Sequence, residues 1–416
     1  MEIIVGGHYK LLKKIGAGSF GEVYLGEDVQ EHEKVAIKLE PVKIRAPQLI
    51  YESKLYLLFA GGICVPRLHW FGTESNYNVM IIDYLGKSLE DLFQMCNQRF
   101  SLKTVLMIAD QCISALQYIH HKSFIHRDVK PDNFLIGSGK KSSQIFIIDF
   151  GLSKKYRDPK TLEHMKYQTG KSLTGTARYA SINALKGYEQ SRRDDIESLA
   201  YCLLYFMRGN LPWMGLDAKD RKQKYERIRD VKNSTKIEDL CRNIPEEFAI
   251  FLQKVRALDF VEEPDYAGYR KMFYELFIRK GYVYDYQYDW VPLFNNRRNM
   301  HRTNPEMNQD SGEHRNPILT TSNAAQISVR TPEVNDEEEP SHIAGQTYNN
   351  DNNKSIPSSL IPDSKSHPSS PKTAPKIPTG KTNTGSALNK QLSNNNLSKK
   401  SHTTNSSSQF SKTKPK

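Results

Sequence analysis

The sequence predicts an α+β fold in two lobes, an antiparallel sheet with one helix first and a mainly helical part after it, followed by a disordered tail. Three observations predict it. Tyr9-Lys10-Leu11-Leu12-Lys13-Lys14-Ile15 and Glu22-Val23-Tyr24-Leu25-Gly26 alternate with the period of a strand pair, and Val35-Ala36-Ile37-Lys38-Leu39 is a further apolar strand. Residues 103–121 and 195–207 instead carry apolar side chains at helical spacing. From about His301 onward Asn, Ser, Thr, Pro and Lys dominate, the aromatics fall to Tyr348 and Phe410, and apolar periodicity stops. Such a segment cannot bury enough surface to offset its ordering entropy. The 416 residues therefore divide into a folded module over 1–300, with lobes at about 9–85 and 86–295, and a disordered tail over 301–416.

Between the first two strands lies Gly16-Ala17-Gly18-Ser19-Phe20-Gly21. Glycines without Cβ let the backbone approach phosphates and aim N–H groups at them. The same spacing marks dinucleotide folds, where a helix follows the glycines and closes a βαβ unit. Here the period stays at two after Gly21, so a hairpin over phosphates is the better reading. Lys38 is the only cation in its apolar strand. A lysine so placed either snorkels at an edge or holds phosphate, and its context after the glycines favours the second role. The helix at 48–59 has apolar positions at 51, 55 and 58/59 with Glu52 beside that stripe, and Glu52 is expected to pair with Lys38.

The chemistry concentrates further on. His126-Arg127-Asp128-Val129-Lys130-Pro131-Asp132-Asn133 is followed by Asp149-Phe150-Gly151. The apolar runs Phe134-Leu135-Ile136 and Ile145-Phe146-Ile147-Ile148 flank a polar turn, so a hairpin brings Asn133 and Asp149 to one end. A proton acceptor and two oxygen ligands for a hard cation suit phosphoryl transfer, in which positioning and charge neutralisation do most of the catalysis. Magnesium takes only one or two protein carboxylates, a demand that Asn133 and Asp149 meet, which leaves Asp128 to accept or orient an acceptor proton.

In this order the motifs resemble a eukaryotic-type protein kinase, and more narrowly the casein kinase I family. The narrower resemblance rests on Ser181-Ile182-Asn183, where most kinases carry Ala-Pro-Glu. It also rests on Asp132-Asn133-Phe134, Lys154-Lys155-Tyr156-Arg157-Asp158, Glu189-Gln190-Ser191-Arg192-Arg193-Asp194-Asp195, Leu211-Pro212-Trp213 and Lys222-Gln223-Lys224-Tyr225-Glu226-Arg227-Ile228. The resemblance implies the two-lobed protein kinase fold, ATP and Mg²⁺ as cofactors, and Asp128, Lys130 and Asn133 as catalytic residues. It implies an ATP site at Ile15, Gly16, Gly18, Gly21, Val23, Ala36, Lys38, Glu52, Asp83 and Leu85, and a metal site at Asn133 and Asp149. Lys130 with Thr176 resembles the Ser/Thr-specific pattern. An anion pocket at Arg178, Gly215, Lys224 and Lys171 would read acidic or phosphorylated protein substrates, with Met214 removing a polar contact that many relatives have. Asp195 would hold the catalytic loop from beneath. What anchors the end of the activation segment without Ala-Pro-Glu is left open.

Composition sets further limits. The net charge of +12 favours anionic partners, and acids disappear after Asp363 while lysines continue. Nucleic acid is not expected as the main partner, because nothing in the module serves it. The tail is dense in Ser and Thr at 364–370 and 401–411, which fits autophosphorylation followed by docking on the anion pocket. Five cysteines without metal-ligand spacing are expected to be reduced core residues, in a cytoplasmic or nuclear protein. No signal peptide, spanning segment or lipidation motif is read, so any membrane association is expected to be peripheral. A monomer is expected. A catalytically dead kinase-fold scaffold is the alternative, disfavoured because Lys38, Asp128, Asn133 and Asp149 are all present; the acceptor segment at 174–183 argues against a small-molecule kinase.

Overall fold

The computed structural model describes residues 2–18 and 21–295. The tail expected over 301–416 lies outside them.

The first half of the module is one antiparallel sheet. Strands β1 (Ile4–Val5), β2 (Tyr9–Gly18), β3 (Gly21–Asp28), β4 (Glu33–Pro41), β5 (Leu68–Glu74) and β6 (Tyr77–Asp83) run in the order β1-β2-β3-β4-β6-β5. Alternation decides the faces, because successive side chains point to opposite sides. Val35, Ile37, Val79 and Ile81 are buried with Val5 and Tyr9 in a small core of their own. The β2–β3 register pairs Gly18 with Gly21 and Gly16 with Val23, so the glycines form the hairpin end expected of them. Gly21 has φ +142, and a Cβ there would lie 2.1 Å from the Leu39 carbonyl oxygen, so only glycine lets β3 lie against β4 at this point.

Helix α1 (Leu49–Leu58) packs on β5 and β6. Its buried face differs from the one expected: it runs through Leu49, Glu52, Ser53, Leu55 and Tyr56, while Tyr51 and Leu58 are exposed. Glu52 therefore lies within the stripe, because its carboxylate meets a lysine that takes the place of an apolar contact. Glu40, fully buried at the end of β4, accepts hydrogen bonds from the Gln48 N–H (2.7 Å) and Leu49 N–H (3.1 Å). A carboxylate at a helix N-terminus satisfies orphan donors and complements the dipole. So β4 both starts α1 and supplies the partner of Glu52.

Residues 84–88 lead into the helical half. It comprises α2 (Leu89–Met95), α3 (Leu102–His121), short strands β7 (Phe124–Ile125), β8 (Phe134–Ile136), β9 (Ile145–Ile147) and β10 (Lys154–Lys155), then α4 (Ile182–Leu185), α5 (Arg192–Arg208), α6 (Arg221–Ser234), α7 (Ile237–Leu240), α8 (Glu246–Ala257) and α9 (Tyr266–Arg279). The expected α3 stripe of Val105, Ile108, Ala109, Cys112, Leu116 and Ile119 is fully buried. Helix α5 is buried from Ile196 through Phe206, as its all-round apolar composition predicts. It packs between α3 and α8. Strands β8 and β9 pair antiparallel, and the Ile148 N–H donates to the Asn133 carbonyl at 3.0 Å. Both chemical motifs thus leave the same end of one hairpin.

Candidate active site

On the nucleotide side, β4 places Lys38 opposite Val23 and Met80. The Lys38 ammonium lies 2.7 Å from Glu52 Oε2 and 3.5 Å from Asp149 Oδ1. Burial opposes this charge, yet the two carboxylates overcome it and hold the ammonium above its usual range. Asp149 adopts a left-handed backbone, φ 66° and ψ 69°. The conformation is held by the next residue: the buried Phe150 ring packs edge-on against Tyr56 of α1, Phe59 just after that helix, and His126, with centroids at 5.0, 4.9 and 5.6 Å. Burial raises the Asp149 carboxyl, but Lys38, His126 and Lys130 outweigh it, and the group sits below the usual aspartate range.

Around the expected nucleotide site, Ala36 shares a strand face with Lys38, and Leu85 is buried at the connection between the sheet and the helices. Ile15 is exposed. Asp83 bonds His69 Nε2 at 2.8 Å and accepts the Arg67 N–H at 3.1 Å, so its carboxylate is committed and a nucleotide contact would come from its main chain.

The catalytic loop is hung on α5. Asp195 accepts the N–H groups of His126 (2.7 Å) and Arg127 (2.8 Å) and bonds the buried His120 ring at 2.8 Å. His126 donates through Nε2 to the Ile148 carbonyl at 2.9 Å, so its Nδ1 accepts the Asp128 N–H at 3.3 Å. Asp128 itself is buried and crowded with donors. Its Oδ1 accepts the Thr176 N–H at 2.9 Å and the Thr176 hydroxyl at 2.8 Å. The Lys130 ammonium stands 2.9 Å from Oδ2 and 3.4 Å from Thr176 Oγ1. Asn133 donates through Nδ2 to the Asp128 carbonyl at 2.9 Å and to Oδ2 at 3.3 Å.

A metal fit follows from these donors. Both Asn133 bonds use its nitrogen, which leaves the amide oxygen for a cation, and Asp149 offers a partly exposed carboxylate. Among the described residues no group of three or more His, Cys, Asp or Glu could hold a metal alone. That suits a hard ion completed by phosphates and water rather than a closed structural site.

A family model described as a protein kinase domain matches residues 9–262. The chain belongs to the protein kinase family. A protein kinase uses ATP with a divalent metal and transfers the phosphoryl group to proteins. Catalytic death is not indicated: all four residues are present, Lys38 in contact with Asp149 and Asn133 in contact with Asp128.

On the acceptor side of this kinase, the activation segment runs back over the catalytic loop at Gly175. Its φ is +94, and a Cβ would lie 2.2 Å from the Arg127 carbonyl oxygen. Ser181, which opens the tripeptide standing for Ala-Pro-Glu, caps α4 and donates to Asp194, and the Ile182 N–H donates to Glu197 at 3.1 Å. These acids, with Lys232, hold the end of the segment. Sequence reasoning named Asp195 but missed Asp194, Glu197, Glu40 and Lys232. For Lys232 the sequence gives only its place four residues after Ile228 on one helix face, and not that this face is buried.

The expected anion-pocket residues are distributed as follows. The Arg178 carbonyl accepts the Trp213 indole N–H at 2.8 Å, which ties its backbone to the loop that ends in Gly215. Gly215 has φ +66 and open space where a Cβ would be. Met214 turns its sulfur back onto the Leu211 N–H at 3.3 Å. Lys224 lies in the first turn of α6. Lys171 and Lys154 place their ammonium groups 3.5 and 3.1 Å from the buried Glu189. All five cysteines are free thiols, and four are buried. Among the described residues no helix is long and apolar enough to cross a membrane.

Proposed function

We propose that this kinase phosphorylates serine and threonine hydroxyls of acidic or already phosphorylated proteins, with ATP and Mg²⁺, as a member of the casein kinase I type. The observation that carries the reading is the Asp128, Lys130 and Thr176 cluster. The Asp128 carboxylate, held by Thr176, Lys130 and Asn133, is the group proposed to meet the acceptor hydroxyl, and the lysine beside it would offset charge on the phosphoryl oxygens.

In this mechanism Lys38, oriented by Glu52, binds phosphate oxygens of ATP, and the glycine hairpin covers them with main-chain N–H groups. Ile15, Val23, Ala36 and Leu85 enclose the base. Asn133 and Asp149 would hold Mg²⁺, which would neutralise charge on the phosphates. Asp128 orients the acceptor hydroxyl and takes its proton as the oxygen attacks the γ-phosphorus in line, the bond to the β,γ-bridging oxygen breaks and ADP leaves.

Arg178, the Gly215 backbone and Lys224, with Lys171 nearby in sequence to the acceptor segment, are proposed to read an anion N-terminal to the target residue. Arginine binds phosphate oxygens bidentately, and lysine acts as a point charge. The same reading makes the enzyme a monomer of the cytoplasm or nucleus whose Ser/Thr-rich tail is phosphorylated by its own domain and then occupies the pocket. Truncation after Met300 is expected to raise the activity of an autophosphorylated preparation.

A positional peptide library with ATP and Mg²⁺ tests the whole reading. It should show Ser and Thr as acceptors, no Tyr, and a preference for phosphate or an acidic run three residues upstream. Preference for basic upstream residues would overturn the pocket while leaving the kinase intact.

A further inference from the structure

Lys232, near the end of α6, has no exposed surface. A bare ammonium in such a place is costly unless its donors are met. Here it donates to the main-chain carbonyls of Ala180 at 2.6 Å and Ala177 at 3.0 Å. Its nitrogen also lies 4.6 Å from the ring centre of Tyr201 and 5.0 Å from that of Trp213, within reach of both π faces. The rings are held in turn: Tyr201 bonds Glu197 and Arg256, and Trp213 donates to the Arg178 carbonyl. Three carbonyls of one short stretch, 177, 178 and 180, are therefore gripped from α6 and from the loop before Gly215. This stretch follows directly on Thr176, which bonds Asp128. It also carries Arg178, while α6 carries Lys224 two turns before Lys232.

We infer that Lys232 is a positioning residue for acceptor recognition, a buried brace that fixes the segment from Thr176 to Ser181 against α6 in a chain without Ala-Pro-Glu. Its connections run to both ends of substrate reading. One leads through Thr176 to the carboxylate that orients the hydroxyl. The other sets Arg178 against Lys224 and Gly215, and in that respect the inference rests on the anion-pocket reading above. Neither connection touches Lys38, Glu52 or Asp149, so the brace acts on the acceptor and not on the nucleotide. Methionine, neutral and one atom shorter, fills most of the same space but donates to neither carbonyl. The segment then loses its hold on α6, and a displacement of about 1 Å at a reacting group is enough to cost on the order of a hundredfold in rate.

The test compares Lys232→Met with the parent, each as the full chain. Three assays are run: a serine peptide with phosphoserine three residues upstream, the same peptide without the phosphate, and ATP hydrolysis without acceptor. In Lys232→Met the peptide KM should rise about tenfold and the ratio of kcat/KM between the two peptides should fall about tenfold, with the KM for ATP in the hydrolysis assay within about twofold. A proportional loss in all three assays, or no change in any, would overturn the inference. Should Lys232→Met not fold, Trp213→Phe keeps an aromatic ring but removes the N–H donated to Arg178 together with part of the buried indole. It should shift the peptide ratio in the same direction by about threefold, and an unchanged ratio would count as refutation. If the parent shows no preference for the phosphopeptide, the pocket reading falls by itself. The brace is then judged on peptide KM against ATP KM, where a selective rise still supports it and an equal change sinks it.

Discussion

On the nucleotide side of the site, Lys38, Glu52 and Asp149 are held to one another by opposite charges; on the acceptor side, Asp128 meets Thr176 and Lys130, and the chain behind Thr176 is gripped through its carbonyls by Lys232 and Trp213. The first arrangement joins three separate elements, β4, α1 and the turn after β9, through side chains alone. The second fixes one continuous stretch of backbone from two sides. In the proposed mechanism charge pairing defines where phosphates go with few residues, whereas an extended protein acceptor needs a stretch of main chain held in one shape. The two regions should therefore fail differently when they are cut.

The largest effect belongs to the carboxylate of the acceptor side. Asp128→Asn is expected to lower kcat about 10³-fold and to leave the KM for ATP within about twofold, as read by steady-state peptide phosphorylation. Equal turnover in that variant would remove the proton-acceptor assignment. Next comes the nucleotide side. Lys38→Met should cost about a hundredfold in kcat/KM for ATP, and Glu52→Gln, which keeps an acceptor beside Lys38 but loses the charge, about tenfold. Isothermal titration with an ATP analogue separates these from folding defects, and normal nucleotide affinity in Lys38→Met would break the proposed division of labour.

Gly175→Ala probes the acceptor side without removing a charge. The new Cβ meets the Arg127 carbonyl in a left-handed backbone. It should destabilise the fold by about 1–3 kcal/mol in chemical denaturation and raise the peptide KM more than the ATP KM. A variant as stable as the parent would show that the segment can move away from the catalytic loop at no cost.

The smallest effect is a pH slope in the anchor. Burial raises the Asp194 carboxyl to about 7 against an ordinary value of 3.8, although hydrogen bonds from Ser181 and the Ser191 N–H pull it down. The unfolded chain releases this proton first, so the native state binds more protons between about 4 and 7. Stability from this group therefore falls as pH rises through that window and levels off above it. Urea midpoints measured from pH 5 to 8 should show the slope in the parent and a shallower one in Asp194→Asn. Parallel curves would mean that Asp194 is ionised throughout.

Much of the nucleotide side was legible because its residues are rare in their surroundings. A lysine inside an apolar strand and a glycine hairpin before it stand out, and the structure joins Lys38 to Glu52 as expected. The face of α1 was less legible: Glu52 was placed beside the stripe, since periodicity cannot show that a buried lysine will receive it. The strand hairpin between Asn133 and Asp149 followed from two short apolar runs around a polar turn, and so did the burial of α3 and α5. Glu40 was invisible as a helix cap because it lies nine residues before the helix that it starts.

What the amino-acid order determined by itself was the chemistry: which side chains are acid, base, cation or oxygen ligand, and the local periods that make strands and helices of the segments between them. What only the folded chain decided was which ordinary charges became internal. Lys232 and Asp194 read as surface residues until α5, α6 and the Trp213 loop close around the acceptor segment. The reason is that desolvation and carbonyl donation are properties of the surroundings, assembled from residues far apart in sequence, and no local pattern contains them.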